Sequence, residues 1–271
     1  MDYQFLAATG LYALAAILIT YHQLRESSHH SIVVWWLVAV GWVVQCIPIL
    51  KQMVAFGGVI PVNLAASLEW SALVMGLFYL VGWRLRRQEA RSAAVLLLPL
   101  MTMTLGASLF ISSSAPEVRT VTAPLLIAHL VLSLLAYGLF SIAAVFAMMD
   151  ALQEHALKSK HLGVLFNVLP PLNALETTLF FMVRMGFALL TLSILSGTLY
   201  SFQQSGVYFS LTHKVVFTWA TWLVFGTLLV GRHFQGWRGR RAYRFTLWGY
   251  LMLALAFLGV KFVKEILLHI N

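Results

Sequence analysis

The chain has 271 residues, of which 61% are hydrophobic and 10% charged, with a mean hydropathy of +0.85. Soluble domains carry about a quarter charged residues and roughly 45–50% apolar ones, so a soluble enzyme, a disordered chain and a secreted disulfide scaffold are excluded. The net charge of +9 comes from 18 Lys and Arg against 9 Asp and Glu; these cations fall in short connections between apolar runs, the pattern of topology setting and not of a nucleic-acid partner.

Eight apolar runs approach the length of about 20 residues that a helix needs to cross the hydrocarbon layer. They cover 4–21, 32–50, 64–83, 93–111, 122–149, 175–201, 214–231 and 245–264. The runs are continuous and do not alternate, which predicts an all-α polytopic membrane bundle, residues 1–271 forming a single integral membrane domain. Asp2 stands where a cleaved leader would carry positive charge, so the first run reads as a retained span. The lone Cys46 excludes an intramolecular disulfide or a C-x-x-C couple.

Lys and Arg set the orientation. The connections after spans one, three, five and seven carry 12: Arg25, Arg84, Arg86, Arg87, Arg91, Lys158, Lys160, Arg232, Arg238, Arg240, Arg241 and Arg244. The opposite connections carry 3: Lys51, Arg119 and Lys214. The first set is cytoplasmic on this count, and both termini face outward. Lys51–Pro61, with Gly57 and Gly58, is expected to be an outer loop, and Ser112–Thr120 an outer polar turn. Pro170 and Pro171 mark the start of span six, since proline is tolerated in a first turn.

Topology sorts the histidines. His22, His29, His30, His155, His161 and His233 fall on the cytoplasmic side, and His269 lies in the outer tail. His129 in span five and His213 at the start of span seven share the outer side. Ionisable groups within spans are functional candidates, and two imidazoles at one depth suit haem iron. The alternative for each is a histidine hydrogen-bonded to a neighbouring backbone or hydroxyl. Arg184 in span six suits a carboxylate such as a haem propionate; otherwise it snorkels to the cytoplasmic headgroups or pairs with Glu176 or Glu69. The separation of eight residues suggests that Glu176 and Arg184 share a face. The many tryptophans, Trp219 and Trp222 among them, are read either as an interfacial belt or as flat surfaces for a porphyrin. GRHFQGWRGRRA at Gly231–Ala242 is either a positive-inside turn or a face that docks an anionic group or a cytoplasmic partner. H-E-x-x-H, G-x-S-x-G and paired-carboxylate patterns are absent, so no enzymatic chemistry is expected.

Three stretches carry a family resemblance: HLVLSLLAYGLFSIAAVFAMMDALQEHALK from His129, LPPLNALETTLFFMVRMGFALLTLSILSGTLYS from Leu169, and TWLVFGTLLVGRHFQGWRGRRA from Thr221. Their order and spacing resemble the cytochrome c assembly proteins of the CcsA type over Val121–Val263, the first four spans matching in hydropathy and length. The resemblance implies a haem-handling bacterial inner-membrane protein, with His129 on a family histidine at the head of a span. The tryptophan-rich W-x-W-D-P-K-E motif of that family is absent: Ser201–Lys214 reads SFQQSGVYFSLTHK. Lys214 then corresponds to the lysine of that motif, Trp222 to a tryptophan after it, and His213 to a neighbour of the lost motif. The N-x-Y-E-S feature is degenerate at Asn63–Ser67, which reads NLAAS.

The expected function is haem binding at the outer side, linked to cytochrome c maturation. Its cofactor is haem b, its iron ligands are His129 and His213, and its further contacts are Arg184 and Trp222. The expected partners are membrane lipid, haem, and a cytochrome-assembly or haem-synthesis protein, with no nucleic acid. The rival readings are a non-enzymatic regulatory or scaffold protein that docks a cytoplasmic partner on its arginine-rich loops, and a small-solute transporter lined by Glu69 and Arg184.

Overall fold

The computed structural model describes residues 3–24, 31–55, 64–85, 87–111, 123–159, 170–206 and 212–256. These residues form eight helices: α1 Tyr3–Leu24, α2 Ser31–Ala55, α3 Leu64–Leu85, α4 Arg87–Phe110, α5 Pro124–Ser159, α6 Leu172–Ser205, α7 His213–Gln235 and α8 Arg240–Ala254. By length and composition, α1 to α7 can each cross a membrane. The described part of α8 has 15 residues, and the rest of the expected eighth span lies outside the described residues, as do Arg25, His29, His30, Arg86, Ser112–Thr120, Lys160, His161, Lys261, Lys264 and His269.

Most helix ends depart from the hydropathic runs, and three of them, in α2, α4 and α5, show one physical reason. An apolar run ends where charge begins, but a helix ends where its backbone loses support. α2 continues through Lys51–Ala55, which corrects the start of the expected outer loop; Gly57, Gly58 and Pro61 lie outside the described residues. Lys51, Gln52, Met53 and Ala55 are all good helix formers. α4 starts at Arg87 and not at 93. α5 runs to Ser159, where Glu154 pairs with Lys158 one turn on, the favourable order for a helix. At 1.5 Å per residue, α5 is about 54 Å long against a hydrocarbon layer of about 30 Å, so it tilts or projects. α6 starts at Leu172 after Pro171, as the proline pair indicated.

Neighbours in sequence pack as antiparallel hairpins, α1 with α2, α3 with α4, α5 with α6 and α7 with α8. α4 closes against α1, α8 against α5, and α3 against α5 joins the two halves. In the first half, Tyr12 Oη donates to Gln45 Oε1 at 2.8 Å and Gln45 Nε2 donates to the Glu69 carbonyl at 2.8 Å, linking α1, α2 and α3. Trp42 Nε1 donates to the Leu73 carbonyl at 2.9 Å. Interhelical hydrogen bonds in lipid contribute only about 0.6 kcal/mol each, so close packing carries most of the association.

That packing is clearest where α5 to α8 meet. Phe140 of α5 and Phe225 of α7 stack with centroids 4.0 Å apart and planes 12° from parallel. Each ring lies against a glycine of a neighbouring helix. A Cβ at Gly186 of α6 would meet Phe140 at 3.0 Å, and one at Gly249 of α8 would meet Phe225 at 2.8 Å. Small residues at such crossings let helices approach closely, the usual solution in lipid.

Candidate functional site

His129 sits in the second turn of α5, opposite Ser193 and Gly197 of α6. Its Nδ1 lies 2.7 Å from the Ser193 carbonyl oxygen. A carbonyl only accepts, so Nδ1 carries the hydrogen and Nε2 carries the lone pair. The Ser193 carbonyl shares its two lone pairs among the amide four residues on, the Ser196 hydroxyl and the His129 ring. The ring reaches that carbonyl because residue 197 is glycine: a Cβ there would stand 2.7 Å from Nδ1. Hydroxyls complete the network. Ser133 Oγ donates to the His129 carbonyl at 2.6 Å and lies 2.6 Å from Ser193 Oγ. Ser193 Oγ is also 3.1 Å from Nδ1, and Ser196 Oγ donates to the Ser193 carbonyl at 3.0 Å.

His213 is the first residue of α7 and is exposed. Thr212 caps that helix, its side chain accepting the Val215 amide at 3.4 Å. Lys214, adjacent to His213, lies within electrostatic range of the His129 ring, so the start of α7 and the head of α5 are at the same end of the bundle. Further along the α6–α7 contact, Trp222 Nε1 donates to Thr191 Oγ1 at 3.0 Å. Its ring stacks on Phe187 at 5.4 Å and meets Trp219 edge-on at 5.8 Å.

Arg184 is placed elsewhere. It lies nine residues before Ser193 on α6, about 13 Å along the axis. Its exposed side chain sits between the exposed Phe181 and Met185, with Nε donating to the Phe180 carbonyl at 3.3 Å. Eight residues leave about 80° beyond two full turns, so Glu176 is buried while Arg184 faces outward. The expected shared face is corrected accordingly, and Arg184 does not join His129. Glu69 is buried in α3, whereas Arg184 is exposed.

Glu176 has other partners. Its carboxylate accepts the Gly239 amide at 2.5 Å and lies 3.6 Å from Arg238 and 3.9 Å from Arg232. Gly239 precedes α8 and has no capping side chain, so Glu176 supplies from α6 the anion that a helix start favours. The GRHFQGWRGRRA segment is therefore a built turn. Gly236 and Gly239 take positive φ of 64° and 52°, Arg232 Nη1 donates to the Trp237 carbonyl at 3.0 Å, and the Trp237 ring fills the space over Gly231.

The sequence pointed to His129, His213 and Trp222 but not to Ser133, Ser193, Ser196 or Gly197. The signal was present: His129 and Ser133 are one turn apart on α5, and Ser193, Ser196 and Gly197 are spaced three and four apart on α6, the pattern of small residues along one helix face.

Among the described residues, no group of three or more His, Cys, Asp or Glu gathers to hold a bare metal ion. A haem iron asks the protein for only one or two axial ligands, and an imidazole whose Nδ1–H is fixed on a carbonyl presents the nitrogen lone pair such a ligand needs. The residues at the head of α5 thus fit a haem better than a free ion.

The comparisons with known proteins agree with this architecture. The profile of the family described as Cytochrome C assembly protein matches residues 62–268, so the match begins well before Val121 and takes in α3 and α4. The chain is 35% identical over 185 residues to an uncharacterized 28.8 kDa protein of Azospirillum brasilense, covering 68% of each. It is 35% identical over 147 residues to the inner membrane protein YpjD of Escherichia coli, covering 53% of this chain and 54% of that one. It is 33% identical over 91 residues to the cytochrome c biogenesis protein CcsA of a Synechococcus strain, covering 34% of this chain and 26% of that one. The matched region thus spans about half of YpjD and a quarter of CcsA. With three quarters of its length matched by the family profile and its polytopic helical bundle in place, the chain belongs to the cytochrome c assembly protein family.

Proposed function

We propose that this chain is a multi-pass inner-membrane protein that handles haem b in cytochrome c biogenesis, held at the outer end of the bundle by His129. One observation carries the reading: the Nδ1 contact to the Ser193 carbonyl, which leaves Nε2 with the lone pair and fixes the ring plane. Haem, when bound, supplies a redox-active iron porphyrin. The chain positions it. His129 offers an axial nitrogen, Ser193 holds the imidazole against rotation, Ser133 holds the Ser193 hydroxyl, and Gly197 admits the ring to the Ser193 carbonyl. His213, exposed at the start of α7, is the second candidate ligand, and its exposure suits a ligand that is exchanged. Trp222, held by Thr191 and Phe187, offers a flat apolar surface at the contact of α6 with α7. No side chain makes or breaks a covalent bond in this reading.

Imidazole rescue tests it. The His129→Gly protein, purified from cells fed a haem precursor, is expected to lack a Soret band and to regain one when imidazole is added with haem. Restoration identifies residue 129 as the source of the axial nitrogen. A His129→Gly protein with an undiminished band rejects the assignment.

A further inference from the structure

We propose that the cavity where the two halves of the bundle meet binds a membrane-dissolved ring compound with a carbonyl on its edge, the carbonyl accepting a hydrogen bond from Tyr79. The cavity has a volume of about 120 Å³ and is walled by residues of α3, α4, α5 and α6. Small residues make the room. Gly82 of α3 and Ala90 and Ala93 of α4 stand on the wall, and a Cβ at Gly82 would meet the Ala90 Cβ at 3.9 Å, an ordinary contact. Protein interiors hold few voids larger than a water molecule. An apolar cavity of about 150 Å³ takes a benzene, so this one matches a single ring. Phe78 of α3, Phe146 of α5 and Phe181 of α6 give the wall aromatic surface for a ring to pack on, and Met182 of α6 adapts to its outline.

One polar group selects the kind of ring. Tyr79 lines the cavity and is 2% exposed. Its buried hydroxyl has no hydrogen-bond partner among the described residues. A buried donor without a partner costs free energy that an acceptor in the cavity recovers. Water is a poor source of that acceptor, because a buried water needs about two to four polar partners, and Thr178 is the other polar side chain of the wall. A carbonyl is a better one: it only accepts, so it brings no donor that the apolar wall would leave unsatisfied. The approach is from lipid. Leu85, 76% exposed at the end of α3, and Phe181, 42% exposed within the span of α6, both belong to the wall. A compound dissolved in the bilayer therefore reaches the cavity without leaving it. Ile142 of the wall stands about 20 Å along α5 from His129, and the inference does not depend on the haem reading.

The full chain in phosphatidylcholine nanodiscs is titrated with para-fluoroacetophenone and, separately, with para-fluoroethylbenzene, which has a similar shape and no carbonyl. Binding is read by fluorine NMR against protein-free nanodiscs. The expected result is saturable binding of both probes, the ketone roughly fivefold tighter. Tyr79→Phe keeps the ring and removes the hydroxyl, so it should bind the ketone no better than the hydrocarbon while its affinity for the hydrocarbon stays as in the wild type. Gly82→Leu fills the cavity and should abolish saturable binding of both. If Gly82→Leu does not fold, the melting temperature of the other two proteins gives the second readout: saturating ketone raises it more than the hydrocarbon does in the wild type, and equally in Tyr79→Phe. Binding no greater than to protein-free nanodiscs, equal affinities for the two probes in the wild type, or a preference that survives in Tyr79→Phe overturns the proposal. Saturable binding in detergent that is lost in phosphatidylcholine nanodiscs overturns it in favour of a bilayer acyl chain as the occupant.

Discussion

At the scale of single residues, the placement of the His129 ring depends on one steric allowance and one hydrogen bond. Gly197→Leu places carbon where the His129 ring now lies, since even a Cβ would stand 2.7 Å from Nδ1. The expected outcome is a protein of normal elution volume and helicity whose haem content drops at least as far as in His129→Ala. Full haem content in Gly197→Leu would show that the ring position is immaterial. Trp222→Phe keeps the stack on Phe187 but removes the bond to Thr191 Oγ1. Its cost is about 0.6 kcal/mol, visible as a small fall in detergent melting temperature, with Trp222→Ala falling further. Equal losses for the two variants would place the stability in the bond and not in the stack. These residues were unequally legible in the sequence. His129 stood out because an imidazole in an apolar span is conspicuous, whereas Ser193 acts through its backbone carbonyl, which no side-chain pattern records. Gly197 matters only because a ring from another helix lies against it.

At the scale of elements, spans were readable because lipid demands long apolar runs, and seven of the eight appear as crossing helices. Helix ends were less readable. Lys51–Ala55, Arg87–Ser92 and Asp150–Ser159 are polar enough to leave the bilayer yet made largely of helix formers, so hydropathy fell while the helix continued. The turn between α7 and α8 was legible as basic, but its clamp to Glu176 joins residues 63 apart in sequence and was hidden. Glu176→Ala should release that clamp, removing the acceptor of the Gly239 amide and the partner of Arg232 and Arg238. Trypsin should then cut at Arg238–Arg241 several-fold faster than in the wild type, with Glu176→Gln intermediate because it can still accept from the amide. Equal cutting rates in all three would dismiss the clamp. The glycine crossings make a second prediction at this scale. Gly249→Leu over-packs the Phe140–Phe225 stack and should cost about 1–3 kcal/mol, whereas Gly10→Ala, with nothing within 4 Å of the new Cβ, should leave the melting temperature unchanged.

At the scale of the whole molecule, the basic connections and His129 lie at opposite ends. Gln23 Nε2 donates to the Arg91 carbonyl at 2.9 Å, tying the end of α1 to the start of α4. Glu176 ties the start of α6 to the α7–α8 turn. The basic connections thus gather at one end, while His129, Ser193 and the start of α7 occupy the other. If the positive end is cytoplasmic, a single cysteine at Gln204, introduced with Cys46→Ala, is labelled in intact spheroplasts by a membrane-impermeant maleimide, and one at Gln235 is not. The reverse labelling would turn the proposed haem site to the cytoplasm and remove its proposed link to cytochromes assembled outside. The central claim is that His129 is an iron ligand, and the visible spectrum of the purified protein, oxidised and then reduced, tests it most directly. A Soret band near one haem per chain, with reduced-state bands that vanish in His129→Ala while the variant elutes as the wild type does, is the predicted result. A haem-free wild-type protein from haem-replete cells, or an identical spectrum in His129→Ala, would contradict it.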